Sequence, residues 1–166
     1  MKITFWSSTE YSGFLAGLIR ELNANGLSAK QSFGISEESY RAAKSSKARL
    51  FLRFRQYVVY PLQLVSSLIG ACLSRKKDTA KQDYVVVSTN TFYAPLIATF
   101  FHPRVVHLVY DLFPEAMIHA GKWREGSLKV KMMRWVVKHT LRRSKSNVFL
   151  GKRLMGYVES IHGGIP

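Results

Sequence analysis

The hydrophobic pattern of the chain switches repeatedly between period 2 and period 3.6. KITFW (2–6) alternates and is rich in β-formers, which predicts a first strand. After the loop SSTEYSG, FLAGLIRELNANG sets Phe14, Leu15, Leu18, Ile19 and Leu22 on one side of a helix that Gly26 stops. LSAKQSF (27–33) predicts a short edge strand, and 36–48 is polar and weakly helical. YVVVST (84–89) predicts a buried strand, FYAPLIATFF a helix, and VVHLVY (105–110) the next strand. Pro114 opens a short helix and Gly121 closes it, since proline is favoured in a first turn and glycine just past a helix end. GSLKVKMMRWVVKHTLRR (126–143) is strongly helical, SNVFLG (146–151) is a last strand and KRLMGYVESIHG a last helix. Alternating elements of this kind predict an α/β fold: a Rossmann-like open, mainly parallel sheet with helices on both faces and strand 105–110 central.

One segment strains this scheme. From Gln56 to Ser74 there are 19 residues without a charge, a length that could just span a membrane. The pattern is nevertheless amphipathic. Phe51, Phe54, Val58, Leu62, Val65, Ile69 and Cys72 recur at three and four, which predicts the inward face. Arg53, Gln56, Tyr60, Gln63, Ser67, Gly70 and Ser74 form the opposite face. Basic residues flank both ends, which no single topology satisfies. A core helix kinked near Pro61 is the expectation, and an interfacial helix lying on a membrane is the alternative.

Composition bounds the rest. The 166 residues fit one domain, and 47% hydrophobic content supports a sizeable core. A lone cysteine, Cys72, excludes an intramolecular disulfide and suits a reducing compartment. Lys and Arg number 25 against 10 Asp and Glu, a net charge of +15. Ten of the basic residues fall in 41–81 and eleven in 122–153. Clustering of this kind points to an anionic partner, whether membrane, nucleic acid or phosphorylated ligand, against the alternative of a solubilising surface.

Several chemistries are excluded. No GxGxxG follows the first strand and no GxxxxGK[ST] or GxSxG occurs, so no nicotinamide, flavin or P-loop site is expected. The five histidines have no metal-ligand spacing, so neither metal nor cofactor is expected. His107 reads as a core histidine, and His119 as a candidate near the crevice. In open α/β sheets ligands bind at the carboxyl ends of strands. Asp111 stands at such an end, either as a site acid or as a turn residue. Glu115 stands in the following first turn, either as its companion or as a helix-start acid favoured by the dipole. Together they could hold sugar hydroxyls or move a proton.

These stretches, STNTFYAPLIA, VVHLVYDLFPEAMIHAG, the basic helix and SNVFLGKRLMGYVESIHGGIP, resemble in order the N-terminal half of GT-B-fold glycosyltransferases of family 4. The closest branch builds bacterial capsule, O-antigen (lipopolysaccharide) and exopolysaccharide chains. The strand followed by D-L-F-P-E-x5-G carries most of the specificity. The resemblance implies a retaining transferase that moves a sugar from a nucleotide-sugar to a lipid-linked or saccharide acceptor, peripheral on the cytoplasmic face of the cell membrane. It implies that residues 1–166 are the acceptor-side domain, and that the nucleotide-sugar donor is held by a C-terminal domain, or a partner chain, with an E-x7-E motif that these residues lack. By the same likeness Asp111, Glu115 and Glu10 are candidate catalytic acids. Ser7, Gly13, His119, Lys152 and Arg153 are candidate substrate contacts, and the two cations could meet a diphosphate or merely cap a surface helix. Arg53 and Arg55, with Lys131, Arg134, Lys138 and Arg142 at helical spacing, are candidate contacts to an anionic membrane. A non-catalytic subunit that recruits a donor-binding chain to the membrane is the alternative. A basic nucleic-acid-binding module is weaker, because no DNA- or RNA-recognition motif occurs.

Overall fold

The computed structural model describes residues 1–10, 13–74, 83–89 and 91–163. The basic stretch 75–82, the Cys72 side chain and the end of GGIP, on all of which expectations fall, lie outside the described residues. Five strands, β1 (Lys2–Thr9), β2 (Ser28–Ile35), β3 (Tyr84–Ser88), β4 (Val105–Val109) and β5 (Ser146–Phe149), pair in parallel in the order β2-β1-β3-β4-β5. This is the expected Rossmann-like sheet. The centre is β3, however, not strand 105–110, because β5 adds outside β4 through pairs such as Val106 with Ser146. β2 is the edge strand expected, but it runs for eight residues.

Helices cover both faces. α1 (Phe14–Ala24) packs Leu15 against Ile3, Phe5, Val86 and Leu108 on one side. On the other, α4 (Tyr60–Ser74) and α5 (Ala94–Phe101) pack Leu64, Leu68 and Ala98 against Trp6, Val87 and Val105. α7 (Leu128–Arg143) and α8 (Lys152–His162) close over Val109 with Leu141 and Val158. The short α2 (Glu37–Ala42) and α3 (Ser46–Phe54) follow β2, and α6 (Glu115–His119) follows β4. Serine side chains start three helices: Ser36, Ser45 and Ser127 accept from the N–H groups of Ser39, Ala48 and Val130. Gly121, at φ 67°, closes α6 in a conformation that side chains resist.

The long helix is broken as the proline requires. A π-helical turn, Arg55–Val59, joins α3 to α4, and the Tyr60 N–H reaches back to the Arg55 carbonyl. Pro61 has no N–H, and its ring would clash with the carbonyl four residues earlier, that of Tyr57. The wider turn frees the Gln56 and Tyr57 carbonyls. Thr91 Oγ1 donates to the first at 3.2 Å, and the Tyr93 hydroxyl donates to the second. The π turn therefore anchors the loop after β3. It also lets this segment approach β2: at Gly34 a Cβ would meet the Tyr60 Cβ at 3.0 Å, so glycine is needed there.

The inward face of this segment is not the expected one: a third stripe is buried, to which the expected outer face contributes Tyr60, while Gln63, Ser67 and Gly70 of that face stay exposed and Val65 of the expected inner face is half-buried. Leu52, Tyr60, Leu64 and Leu68 are buried, whereas Phe51, Phe54, Val58, Leu62 and Ile69 are exposed. The buried set recurs every four residues, a spacing that a pure α-helix would rotate away from the sheet and that one wide turn keeps in phase. The helix carries two apolar stripes, and the sheet takes one. Among the described residues no helix is long and apolar enough to cross a membrane.

Candidate functional site

The strand order reverses between β1 and β3, and in such sheets the crevice opens at the carboxyl ends of the strands on either side of that point. Gln56 of the π turn bridges it. Its Nε2 donates to Ser8 Oγ at 3.3 Å, and its carbonyl accepts from Thr91. Two cavities open on either side of the π turn, and Arg53 and Tyr57 wall both.

The first is a groove of about 490 Å³ running from the π turn to α7. Phe92 enters it from the loop after β3, Phe113 from the loop after β4, Met117 from α6, and Met132 and Met133 from α7. Its one other cation is Lys129, whose Nζ lies 3.6 Å from the centre of the Trp123 ring. The second is a basin of about 700 Å³ of opposite character, lined by Arg41, Lys44, Arg49 and Arg53. Arg41 also pairs with Glu37, and the Arg49 Nε donates to the Ala43 carbonyl at 3.4 Å.

Asp111 lies where expected, just past β4, with an exposed side chain. Thr89 Oγ1 accepts from the N–H groups of Tyr110 and Asp111 at 3.0 and 3.3 Å and so fixes the turn. Phe92 and Phe113 line both the apolar groove and a small pocket that Asp111 also lines, so Asp111 stands beside the groove. Glu115 does not join it. Its side chain is buried, and Oε1 accepts from Arg134 Nε at 2.8 Å, with Arg134 Nη2 on Glu125 at 3.2 Å. The companion-acid expectation gives way to a buried ion pair that ties α6 to α7. A carboxylate at 2% exposure is stable there only because a cation meets it.

The remaining expected residues divide. Glu10, at the end of β1, accepts from the Glu37 N–H at 3.2 Å and so supports the start of α2. Ser7 is buried within β1, donating to the Thr9 carbonyl at 2.7 Å and accepting from Gln31 Nε2, so it does not face the crevice. Gly13 is exposed at the start of α1. His119 joins α6 to α8 through the Tyr157 hydroxyl at 2.9 Å. Lys152 and Arg153 are exposed in the first turn of α8, at the carboxyl edge. Cations in a first turn oppose the helix dipole rather than complement it.

The basic residues are only partly free. Arg55 donates to the Gly34 carbonyl at 2.8 Å and Arg134 holds Glu115, so each already has a partner within the protein. Arg53, Lys131 and Arg142 are exposed, and Lys138 is half-buried. His107 is a core histidine as expected: burial pushes it down to about 4, against an Asn147 hydrogen bond at 3.2 Å that pulls the other way. Burial also lowers His162, which Glu115 opposes and Arg134, Lys138 and Arg142 reinforce. Among the described residues no group of histidine, cysteine and acids could hold a metal.

The groove and basin went unseen in the sequence. Their walls come from separate elements, and each residue alone reads as core or as solvated charge. The one available signal was the absence of any acid between Glu38 and Asp78.

No family profile, curated protein or solved structure matches the chain.

Proposed function

We propose that residues 1–166 are the acceptor-binding half of a membrane-associated, retaining glycosyltransferase. A nucleotide-sugar held on a second domain or chain gives its sugar to a polysaccharide or lipid-linked acceptor at the cytoplasmic face of the membrane. The supporting observation is a convergence. The D-L-F-P-E stretch, which carries the family resemblance, puts Asp111 at the carboxyl edge beside an open groove, and the helix walling that groove exposes an apolar stripe flanked by cations. In this reading Asp111 orients or deprotonates the acceptor hydroxyl, and Glu115 with Arg134 holds α6 so that the turn bearing Asp111 keeps its place. The stripe at Phe51, Phe54, Val58 and Leu62 lies on the lipid, with Arg53 and neighbouring basic residues over anionic headgroups.

Equilibrium dialysis of the purified chain tests this division of labour. Detergent-dispersed glycolipid or capsular oligosaccharide should bind, and nucleotide-sugars should not bind below the millimolar range. Tight nucleotide-sugar binding with no saccharide binding would assign the donor side instead. The exposed stripe also favours a second reading, a recruiting subunit without catalytic acids, in which Asp111 contributes nothing to rate.

A further inference from the structure

His107 sets a hydrogen-bonding problem in the core beside Asp111. Strand register places it between Val87 of β3 and Asn147 of β5, and it is buried. Asn147 Nδ2 donates to the Leu141 carbonyl at 2.9 Å, and its Oδ1 lies 3.2 Å from His107 Nδ1. An amide oxygen only accepts, so Nδ1 carries the ring hydrogen. Burial keeps the ring neutral, pushing it down to about 4, so Nε2 retains a bare lone pair at neutral pH. Nε2 is itself buried and has no partner among the described residues.

The same ring lines the small pocket that Asp111 also lines, a space of about 10 Å³ that seats one water and nothing larger. Two buried hydroxyls line it as well, those of Thr89 and Thr140. Thr89 Oγ1 accepts from the N–H groups of Tyr110 and Asp111, which commits its lone pairs and leaves its hydrogen to donate. Thr140 Oγ1 gives its hydrogen to the Val136 carbonyl at 2.8 Å and keeps a lone pair. His107, Thr140 and Thr89 thus present two acceptors and one donor, and apart from Asp111 the rest of the lining is apolar. A single water matches that set with its two hydrogens and one lone pair, and three hydrogen bonds are typical of a buried water.

We propose that this pocket binds one structural water, which donates to His107 Nε2 and Thr140 Oγ1 and accepts from Thr89 Oγ1, and that His107 is thereby a positioning residue for Asp111. The bonds run from Asn147 through the imidazole and the water to Thr89, and from Thr89 to the Asp111 N–H. Strand β5 and helix α7 then hold the turn that carries the acid, although neither touches it directly. The bearing on sugar transfer rests on the role proposed for Asp111, whereas the water and its hydrogen bonds do not.

The test is nuclear magnetic resonance of the full nitrogen-labelled chain at neutral pH, with no sugar, nucleotide or lipid present. Long-range correlations within the imidazole should place the hydrogen on Nδ1, and the ring protons should show cross-relaxation with a water that tumbles with the protein. A hydrogen on Nε2, or a ring that meets no such water, overturns the proposal. Amide hydrogen exchange reads the positioning. His107→Gln puts an amide oxygen near the place of Nε2, whereas His107→Asn keeps a donor near the place of Nδ1 without the acceptor beyond it. The Asp111 amide should exchange about threefold to tenfold faster in His107→Asn than in wild type, the weight of one net hydrogen bond, and close to the wild-type rate in His107→Gln. Thr140→Val, which nearly keeps the side-chain volume, should weaken the water signal and speed Asp111 exchange in the same sense. The Thr89 amide, which donates to the Leu108 carbonyl at 3.1 Å, is the control and should not change. Equal exchange in the Gln and Asn variants, or a Thr89 amide that accelerates together with that of Asp111, means general loosening and overturns the positioning role. If His107→Asn does not fold, the wild-type tautomer, the water signal and Thr140→Val decide the outcome. Sugar transfer is not read here, so failure leaves the transferase reading standing, and failure of sugar transfer leaves this result intact.

Discussion

Replacing Arg134 by methionine strands a carboxylate inside the protein. The Glu115 side chain is 3% exposed and its Oε1 lies 2.8 Å from Arg134 Nε, while the Arg134 side chain is 33% exposed. Removing one partner of a buried pair costs about 3–5 kcal/mol, because the remaining charge is left uncompensated. Arg134 is partly open to water, so the lower end applies, about 3 kcal/mol. For a domain of this size each kcal/mol moves the melting temperature by about 2–4 °C, so Arg134→Met should melt roughly 6–12 °C lower. Glu115→Gln leaves Arg134 with solvent and Glu125, 3.2 Å from its Nη2, and should cost only about 1–2 kcal/mol. The double variant Glu115→Gln/Arg134→Met buries no charge and should recover much of the loss. Calorimetric melting of the four proteins closes the cycle and yields the coupling energy. If Arg134→Met melts within about 2 °C of wild type, or if the two losses simply add, Glu115 is not held by this pair and its assignment as a positioning acid fails.

Other consequences can be measured as directly. His107 titrates at about 4 when folded and near 6.5 when unfolded, so its contribution is complete above pH 6.5 and is lost as pH falls toward 4. His107→Gln should therefore flatten a loss of about 3 kcal/mol between those pH values in urea melts, with His162 leaving a smaller residue of the same sign. Phe51→Ser with Leu62→Ser, at exposed positions, should leave melting unchanged and reduce sedimentation with anionic vesicles about tenfold or more. Wild-type binding should also fall with added salt, and equal adsorption of wild type to neutral and anionic vesicles would contradict the role given to the cations. Thr91→Val removes the donor to the Gln56 carbonyl at 3.2 Å and should lower stability by about 1 kcal/mol, with faster proteolysis of the loop after β3.

The alternation of period 2 and period 3.6 was enough to read five parallel strands and the place of Asp111, because both depend on local pattern. The inward face of α3 and α4 was not readable. Phe51, Phe54, Val58, Leu62 and Ile69 make as good a stripe as Leu52, Tyr60, Leu64 and Leu68. The choice was made by a π turn that Pro61 demands and that Thr91 and Tyr93 satisfy from 30 or more residues away. Glu115 read as a helix-start acid because its position is one. Its partner Arg134, 19 residues on, belonged to a basic stripe that looked wholly solvated. The off-centre place of β4 was equally hidden, since the sequence shows that strands exist but not where the last one adds.

The central claim, that Asp111 serves sugar transfer at the membrane, is tested most directly by one assay. Membranes carrying the proposed transferase, wild type or Asp111→Asn, are supplied with labelled nucleotide-sugar, and the label entering lipid and polysaccharide is followed over time. The account predicts steady incorporation by wild type and a fall of about a hundredfold or more in Asp111→Asn at unchanged melting temperature and vesicle binding, since a positioned acid or base contributes on that scale. Equal incorporation by the two proteins would contradict it and leave a membrane-recruiting subunit in which Asp111 is only a turn residue.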